Sequence, residues 1–319
     1  MSMGFVEPQG WYGYRPNPAA VQADVASFQA RYGRPAALRA AARDWMGDGM
    51  TGDFMNYLCW LELDIADWKK KGDYPPYINQ PGNDCTAEST SRGVDQIQAI
   101  GAAQGQCAFS SVKDRTCIEY TYAAGLAVAG WHGDRGCYGQ AMAQAMCETG
   151  ALSYGAVGSP MEVDKGRLIQ WANTPKSVVS KYGDQSKNFL IGERTQVQSW
   201  EEFCAIIANQ GVVLLASSIG FNGDRDQAGI IRRRGVWPHQ MVGVAVIRSD
   251  GTETGVIKNS WGQDFWKGPR PFQLPGDCFR AIRIDIEAIL NQGDCWGLTR
   301  FPGFEKTPVP EKWTYNVMA

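Results

Sequence analysis

The run Val256-Ile257-Lys258-Asn259-Ser260-Trp261-Gly262 constrains the fold of this chain more than any other stretch. Val256 and Ile257 are β-branched and read as strand, while Asn259-Ser260 and Gly262 favour a turn, so an asparagine is held at the end of a rigid strand. Upstream, Trp237-Pro238-His239-Gln240-Met241-Val242-Gly243-Val244-Ala245-Val246-Ile247 is largely apolar and reads as a second strand with His239 near its start. Joined through the turn signal Ser249-Asp250-Gly251, the two strands bring His239 beside Asn259. A carboxamide bonded to an imidazole fixes its tautomer and orientation, which is the third role in a nucleophile, base and orienter constellation.

The nucleophile has to come from elsewhere. Asn79-Gln80-Pro81-Gly82-Asn83-Asp84-Cys85-Thr86-Ala87-Glu88-Ser89 sets Cys85 after a loop and before residues that can begin a helix. A sulfur at a helix N-terminus sits where the dipole favours thiolate. Asp84 reads chiefly as the cap of that helix, with a secondary effect opposing thiolate formation in its neighbour.

These segments resemble the papain and cathepsin cysteine peptidases. Lys258 to Gly262 matches that family's K-N-S-W-G run, His239 its catalytic histidine, and Cys85-Thr86-Ala87-Glu88-Ser89 its C-W-A-F-S. The resemblance begins at Asp67-Trp68, passes through Lys71-Gly72, Pro76 and Asn79-Gln80, and recurs at Gly136-Cys137-Tyr138-Gly139, similar to G-C-N-G-G. Four separated motifs in the family's order are not a single-motif coincidence. The chain also departs from the pattern. The step from Gln80 to Cys85 is one residue short, Thr86 stands where the family has tryptophan, Asp84 precedes the sulfur, and Gly82 replaces a cysteine that would pair with Cys137.

The resemblance implies an α+β fold of two halves: a helical half with the nucleophile helix and an antiparallel β half with His239 and Asn259. It implies peptide-bond hydrolysis in which Cys85 attacks, His239 acts as base then acid, Asn259 orients it, and Gln80 with the Cys85 N–H forms the oxyanion hole. Trp261 would shield the His239 to Asn259 contact, and Gly139 would border the substrate groove. The alternative is the same fold serving as a structural or binding part of a larger assembly, such as a virion, with weak or lost activity.

Composition narrows the partners. The 319 residues are 44% hydrophobic and 20% charged, with 31 basic and 33 acidic residues interspersed. That balance favours neither nucleic acid nor a membrane surface and fits a globular core of good size. The expected partner is a peptide or protein substrate. No basic leader precedes an apolar segment, so the expected location is intracellular or within a protein particle. Nine cysteines without C-x-x-C spacing and two histidines suggest no metal and no cofactor. Free thiols fit best; disulfides such as Cys107 with Cys117 or Cys278 with Cys295 remain the rival.

In order, residues 1–63 read as an aromatic arm and helical extension, 64–303 as the main domain and 304–319 as a tail. The arm's aromatics suggest docking, on the chain itself or on a protein partner. The extension is either a permanent accessory layer, the favoured reading, or a short inhibitory prosegment. Helices are expected over residues 18–32, 35–47, 54–65, 86–103, 118–129, 138–148 and 199–208, and a strand over 212–216. Residues beyond 161 read as mixed and strand-like.

Overall fold

The computed structural model describes residues 13–32, 80–103, 112–159, 163–208, 210–221, 223–249, 251–262 and 265–299. The helices expected at 35–47 and 54–65, the motif residues 67–79 and the tail from 304 lie outside these. Within them the fold is α+β, with eight α-helices and one six-stranded antiparallel sheet.

Helix α1 spans Pro18–Tyr32. Helix α2, Cys85–Ala103, carries Cys85 as its first residue. It packs on the sheet through Gly93, where a Cβ would lie 2.8 Å from a Val212 methyl. Thr86, Glu88, Ser89, Thr90, Ser91 and Asp95 of this helix are all buried, which demands internal partners. Gln240 Nε2 donates to Ser89 Oγ (2.8 Å) and Thr90 Oγ1 (3.1 Å), Ser91 Oγ donates to Thr121 Oγ1 (3.0 Å), and Asp95 takes Arg115 Nε (3.1 Å).

Helix α3, Ile118–Ala129, ends on Gly130 at φ 69°, a left-handed C-terminal residue that suits glycine. Helix α4 spans Gly139–Glu148. The region read as strand-like after 161 instead holds two helices, α5 at Lys165–Asn173 and α6 at Pro175–Ser186. Their start signals are present: Asp164 Oδ1 accepts the Arg167 N–H at 3.0 Å, and Pro175 stands in the first turn. Only Leu168, Ala172, Pro175, Val178 and Ser186 are buried in them, too few for a clear apolar period.

The β half contains β1 (Glu193–Gln196), α7 (Trp200–Ala208), β2 (Val212–Phe221), β3 (Arg233–Ser249), β4 (Thr252–Lys258), β5 (Cys278–Ile282), α8 (Arg283–Leu290) and β6 (Asp294–Thr299). The strand order is β1-β6-β2-β3-β4-β5. β3 and β4 form the expected hairpin, with Val242 opposite Lys258. Cys278 and Cys295 are free, as are the other five described cysteines. They sit on β5 and β6, with β2, β3 and β4 between those strands, so the rival disulfide is geometrically impossible. Cys107 lies outside the described residues. No described helix is long and apolar enough to cross a membrane.

Candidate active site

The hairpin register carries the site. Val242 faces Lys258, so continuing the ladder past the end of β4 brings the Asn259 to Trp261 segment alongside His239. His239 Nε2 lies 2.7 Å from Asn259 Oδ1, which also accepts the Ser260 N–H at 2.8 Å. An oxygen on Nε2 assigns the proton to that nitrogen and leaves Nδ1 as the basic atom. Nδ1 is buried without a hydrogen-bond partner. Trp261 stacks on the imidazole with ring centroids 4.4 Å apart and is itself 4% exposed. Burial pushes His239 down to about 4, against the raising effect of the Asn259 bond.

Cys85 heads α2, whose first turn closes on the Asp84 carbonyl: Ala87 N–H donates to it at 2.8 Å and Glu88 N–H at 2.9 Å. Burial pushes the thiol up to about 12, with the Asp84 charge adding to the rise and the backbone of Gln240, Gly13 and Thr86 acting the other way. Gln240 follows His239 directly and bonds the helix that Cys85 heads, donating to the Thr86 carbonyl at 3.2 Å. As it stands the pair is a neutral thiol and a neutral imidazole.

Gln80 is buried between the two halves. Its Oε1 accepts Ser260 Oγ at 2.7 Å, its backbone N–H donates to the Ser260 carbonyl at 3.0 Å, and its Nε2 donates to the Gly82 carbonyl at 2.9 Å. The carboxamide is thus tied at both ends to the loop leading to Cys85 and to the Asn259-Ser260 turn.

Asp84 does not cap α2 with its side chain. Its Oδ1 turns back to the Gly82 N–H at 3.1 Å, bracing the shortened loop instead. Asp84 and Glu88 are both wholly buried, one turn apart, and Asp84 Oδ2 and both Glu88 oxygens have no conventional donor. Two carboxyls in contact need a shared proton. Burial accordingly pushes Asp84 up to about 7, with Asp134 adding to the rise, and burial with the Asp84 charge holds Glu88 well above the usual range.

The residues sequence reasoning did not single out belong to the arm and its seat. Gly13 lies against the loop that leads to Cys85: a Cβ there would come 2.0 Å from the Asn83 carbonyl oxygen. Its carbonyl accepts the Cys137 N–H at 2.7 Å, and the Arg15 N–H donates to the Cys137 carbonyl at 2.7 Å, a parallel bridge centred on Tyr14 and Cys137. Gly136, at φ 83°, completes the close approach, since its Cβ would meet the Gly13 oxygen at 2.1 Å. Gly139 is the first residue of α4. It is buried against Ala216 and Asp294, and its N–H donates to Asp294 Oδ2 at 2.8 Å. The backbone that pairs with the arm is that of Cys137, and the missing side chain that permits the approach is that of Gly136. The signal for this was the aromatic run in the arm, of which Tyr14 is buried. Beyond the arm, Asp24 of α1 pairs with Arg194 through two bonds of 2.6 and 2.8 Å.

Among the described residues no group of three or more histidines, cysteines or acids is arranged to hold a metal. Arg232 and Arg233 both reach Asp285, at 3.0 and 3.3 Å.

No protein-family model matches the chain, and no curated protein does. Among solved structures it is similar to xylellain, a cysteine protease from Xylella fastidiosa, at 17% identity and TM-score 0.45 over 70% of this chain and 83% of that one. It is also similar to a cysteine protease of Carica candamarcensis in complex with E-64, at 18% identity and TM-score 0.44 over 74% and 97% of the two chains. Digestive procathepsin L2 of Tenebrio molitor larvae gives 14% identity and TM-score 0.44 over 73% and 67%. At these identities the reaction has to be argued from the site itself.

Proposed function

We propose that the chain is a papain-like cysteine peptidase held in a latent state by its own N-terminal arm. The observation that carries this reading is the buried His239 Nε2 to Asn259 Oδ1 bond under Trp261, which leaves Nδ1 as an unused base on the strand that packs, through Gln240, on the helix Cys85 heads. In the reaction, His239 Nδ1 takes the thiol proton as sulfur attacks the peptide carbonyl, then delivers it to the leaving amine. Asn259 keeps the ring oriented, and Trp261 keeps water from that bond. Gln80 and the Cys85 N–H stabilise the oxyanion.

The arm accounts for the unreactive charge state. With Gly13 packed on the Asn83–Asp84 backbone beside Cys85, burial favours the neutral thiol; with the arm gone, water and the imidazole favour the thiolate–imidazolium pair. The test is iodoacetamide labelling of Cys85 against pH in the wild-type chain and in His239→Ala. The paired site gives a rate that levels off well below the pH at which an isolated thiol ionises, and His239→Ala abolishes that plateau. Identical profiles would instead favour the second reading, a structural or binding component such as a virion part. Its support is the same wholly buried Cys85, with the thiol near 12 and the imidazole near 4.

A further expected result concerns Gln80. Gln80→Ala lowers kcat about 10²-fold or more with little change in KM, as the loss of one preorganised oxyanion donor does. Steady-state hydrolysis of a fluorogenic peptide reads it directly. An unchanged kcat means the ties to Ser260 and Gly82 hold the carboxamide away from the oxyanion.

A further inference from the structure

Between Trp237 and Ile247, β3 holds two polar side chains, His239 and Gln240. The base has a task; the glutamine beside it is fully buried and calls for one. Strand alternation turns the two to opposite faces. His239 lies with Trp237 and Met241 on the side of Trp261, and Gln240 lies with Val242 on the side of α2.

On that second face Gln240 Nε2 donates to Ser89 Oγ at 2.8 Å and Thr90 Oγ1 at 3.1 Å, with the Thr86 carbonyl at 3.2 Å as a third acceptor. Both hydroxyls commit their own protons to backbone: Ser89 Oγ donates to the Cys85 carbonyl at 2.8 Å, and Thr90 Oγ1 donates to the Thr86 carbonyl at 2.6 Å. All they can offer the amide is a lone pair, which fixes its NH2 group towards the helix. Gln240 Oε1 is left buried without a donor. A methionine here would fill similar space with no orphaned acceptor, so stability alone does not account for the amide.

The helix end of these bonds is the first turn behind the nucleophile, and the strand end is the neighbour of the base. From Gln240 the path to the Cys85 carbonyl is one hydroxyl long. Two residues along the strand, Val242 meets α2 at Gly93, where a Cβ would lie 3.4 Å from a Val242 methyl. Apolar contact of that kind has no direction and lets strand and helix slide, whereas hydrogen bonds fix both distance and angle.

We propose that Gln240 is a positioning residue of the site, clamping β3 to the first turn of α2 and so setting where the His239 imidazole stands relative to the Cys85 sulfur. This rests on reading Cys85 and His239 as the reacting pair. Asn259 and Trp261 set how the imidazole is turned; Gln240 sets the place of the strand that carries it. Proton transfer from sulfur to Nδ1 needs hydrogen-bonding reach, so a slip of about 1 Å between strand and helix is felt directly in thiolate formation.

The test is iodoacetamide labelling of Cys85 against pH in the full chain, read by peptide mapping, for the wild type, Gln240→Met and His239→Ala. Methionine keeps the length of the side chain and removes its donors. Gln240→Met is expected to lower the rate near pH 6 at least about tenfold, moving the profile towards that of His239→Ala. At about pH 10, where an accessible thiol ionises without help, its rate is expected to stay within about twofold of the wild type. A general loosening of the fold does the reverse, because it admits reagent and raises the rate at every pH. A Gln240→Met profile that coincides with the wild type, or lies above it throughout, overturns the proposal and leaves the peptidase reading standing. A His239→Ala profile that coincides with the wild type removes both. Should Gln240→Met not fold, as its urea midpoint reports, Ser89→Ala cuts the link from Gln240 to the Cys85 carbonyl at a helix position that favours alanine. That variant is expected to lower the rate near pH 6 at least about threefold, and an unchanged rate overturns the proposal equally.

Discussion

Replacing Gly13 with valine is expected to raise the rate of Cys85 alkylation at pH 7 by about 10²-fold or more. A valine Cβ has no place at this position, 2.0 Å from the Asn83 carbonyl oxygen and 2.3 Å from its carbon, and both atoms are backbone that cannot swing aside. The arm must therefore lift. What holds it down is two backbone hydrogen bonds to Cys137, worth about 1 kcal/mol each, and the burial of Tyr14, worth roughly 2 kcal/mol. An opening cost on the order of 3–4 kcal/mol limits reagent access to about one molecule in several hundred at any moment, and valine removes that limit. Gly136→Ala attacks the same contact from the other side, because its Cβ meets the Gly13 oxygen at 2.1 Å. Intact-mass labelling, with the urea midpoint measured alongside to exclude global unfolding, reads both. If Gly13→Val labels at the wild-type rate, the arm is not what covers the sulfur.

The stability of the fold is expected to decline as pH rises from about 4 to about 7, by about 1–3 kcal/mol per pH unit. Three buried carboxyls set the direction. Asp84 is pushed from 3.8 to about 7 by burial, with Asp134 adding to the rise, Asp294 from 3.8 to about 6 by burial, and Glu88 lies well above 4.5 through burial and the Asp84 charge, although Arg92 offsets part of it. A carboxyl with a raised folded-state pKa binds its proton more tightly in the fold. Its contribution is complete below the unfolded pKa and is lost as pH climbs through the folded one. His239 works the other way: its folded value is depressed from 6.5 to about 4, so its contribution is complete above 6.5 and is lost as pH falls towards 4. Three groups outweigh one, leaving one to two net protons at about 1.4 kcal/mol each per pH unit. Asp84→Asn keeps an oxygen for the Gly82 N–H and removes the charge. It is expected to flatten the slope and to add roughly 2–4 kcal/mol at pH 8. Urea midpoints at pH 5, 6, 7 and 8 at constant ionic strength are the measurement. A midpoint that rises across that range would mean the Asp84 and Glu88 carboxyls are not buried together.

The two results are linked through the loop that leads to Cys85. Asp84 braces Gly82, Gln80 is tied to the same Gly82, and Gly13 rests on Asn83 and Asp84. Arm release and carboxyl ionisation thus act on one five-residue segment before Cys85.

By itself the sequence determined the pieces whose physics is local. Apolar spacing and turn residues marked helices over 18–32 and 118–129, and the nucleophile helix within one residue of its start. β-branched runs about Ser249-Asp250-Gly251 marked the β3–β4 hairpin, and with it the approach of Asn259 and Trp261 to His239, because a ladder's register follows from its turn. Helices α5 and α6 escaped notice because so few of their residues are buried, although Asp164 and Pro175 announced them. Tertiary structure alone decided whether the site stands open. The contact between Gly13 and Cys137 is made of backbone atoms and missing side chains, which leave no pattern in a sequence. Asp294 reaches the start of α4 across 155 positions, a pairing no local signal encodes. Asp84 was visible as the neighbour of Cys85, but a carboxyl's charge is set by the water around it. Only the packing of the arm, α2 and the sheet removes that water.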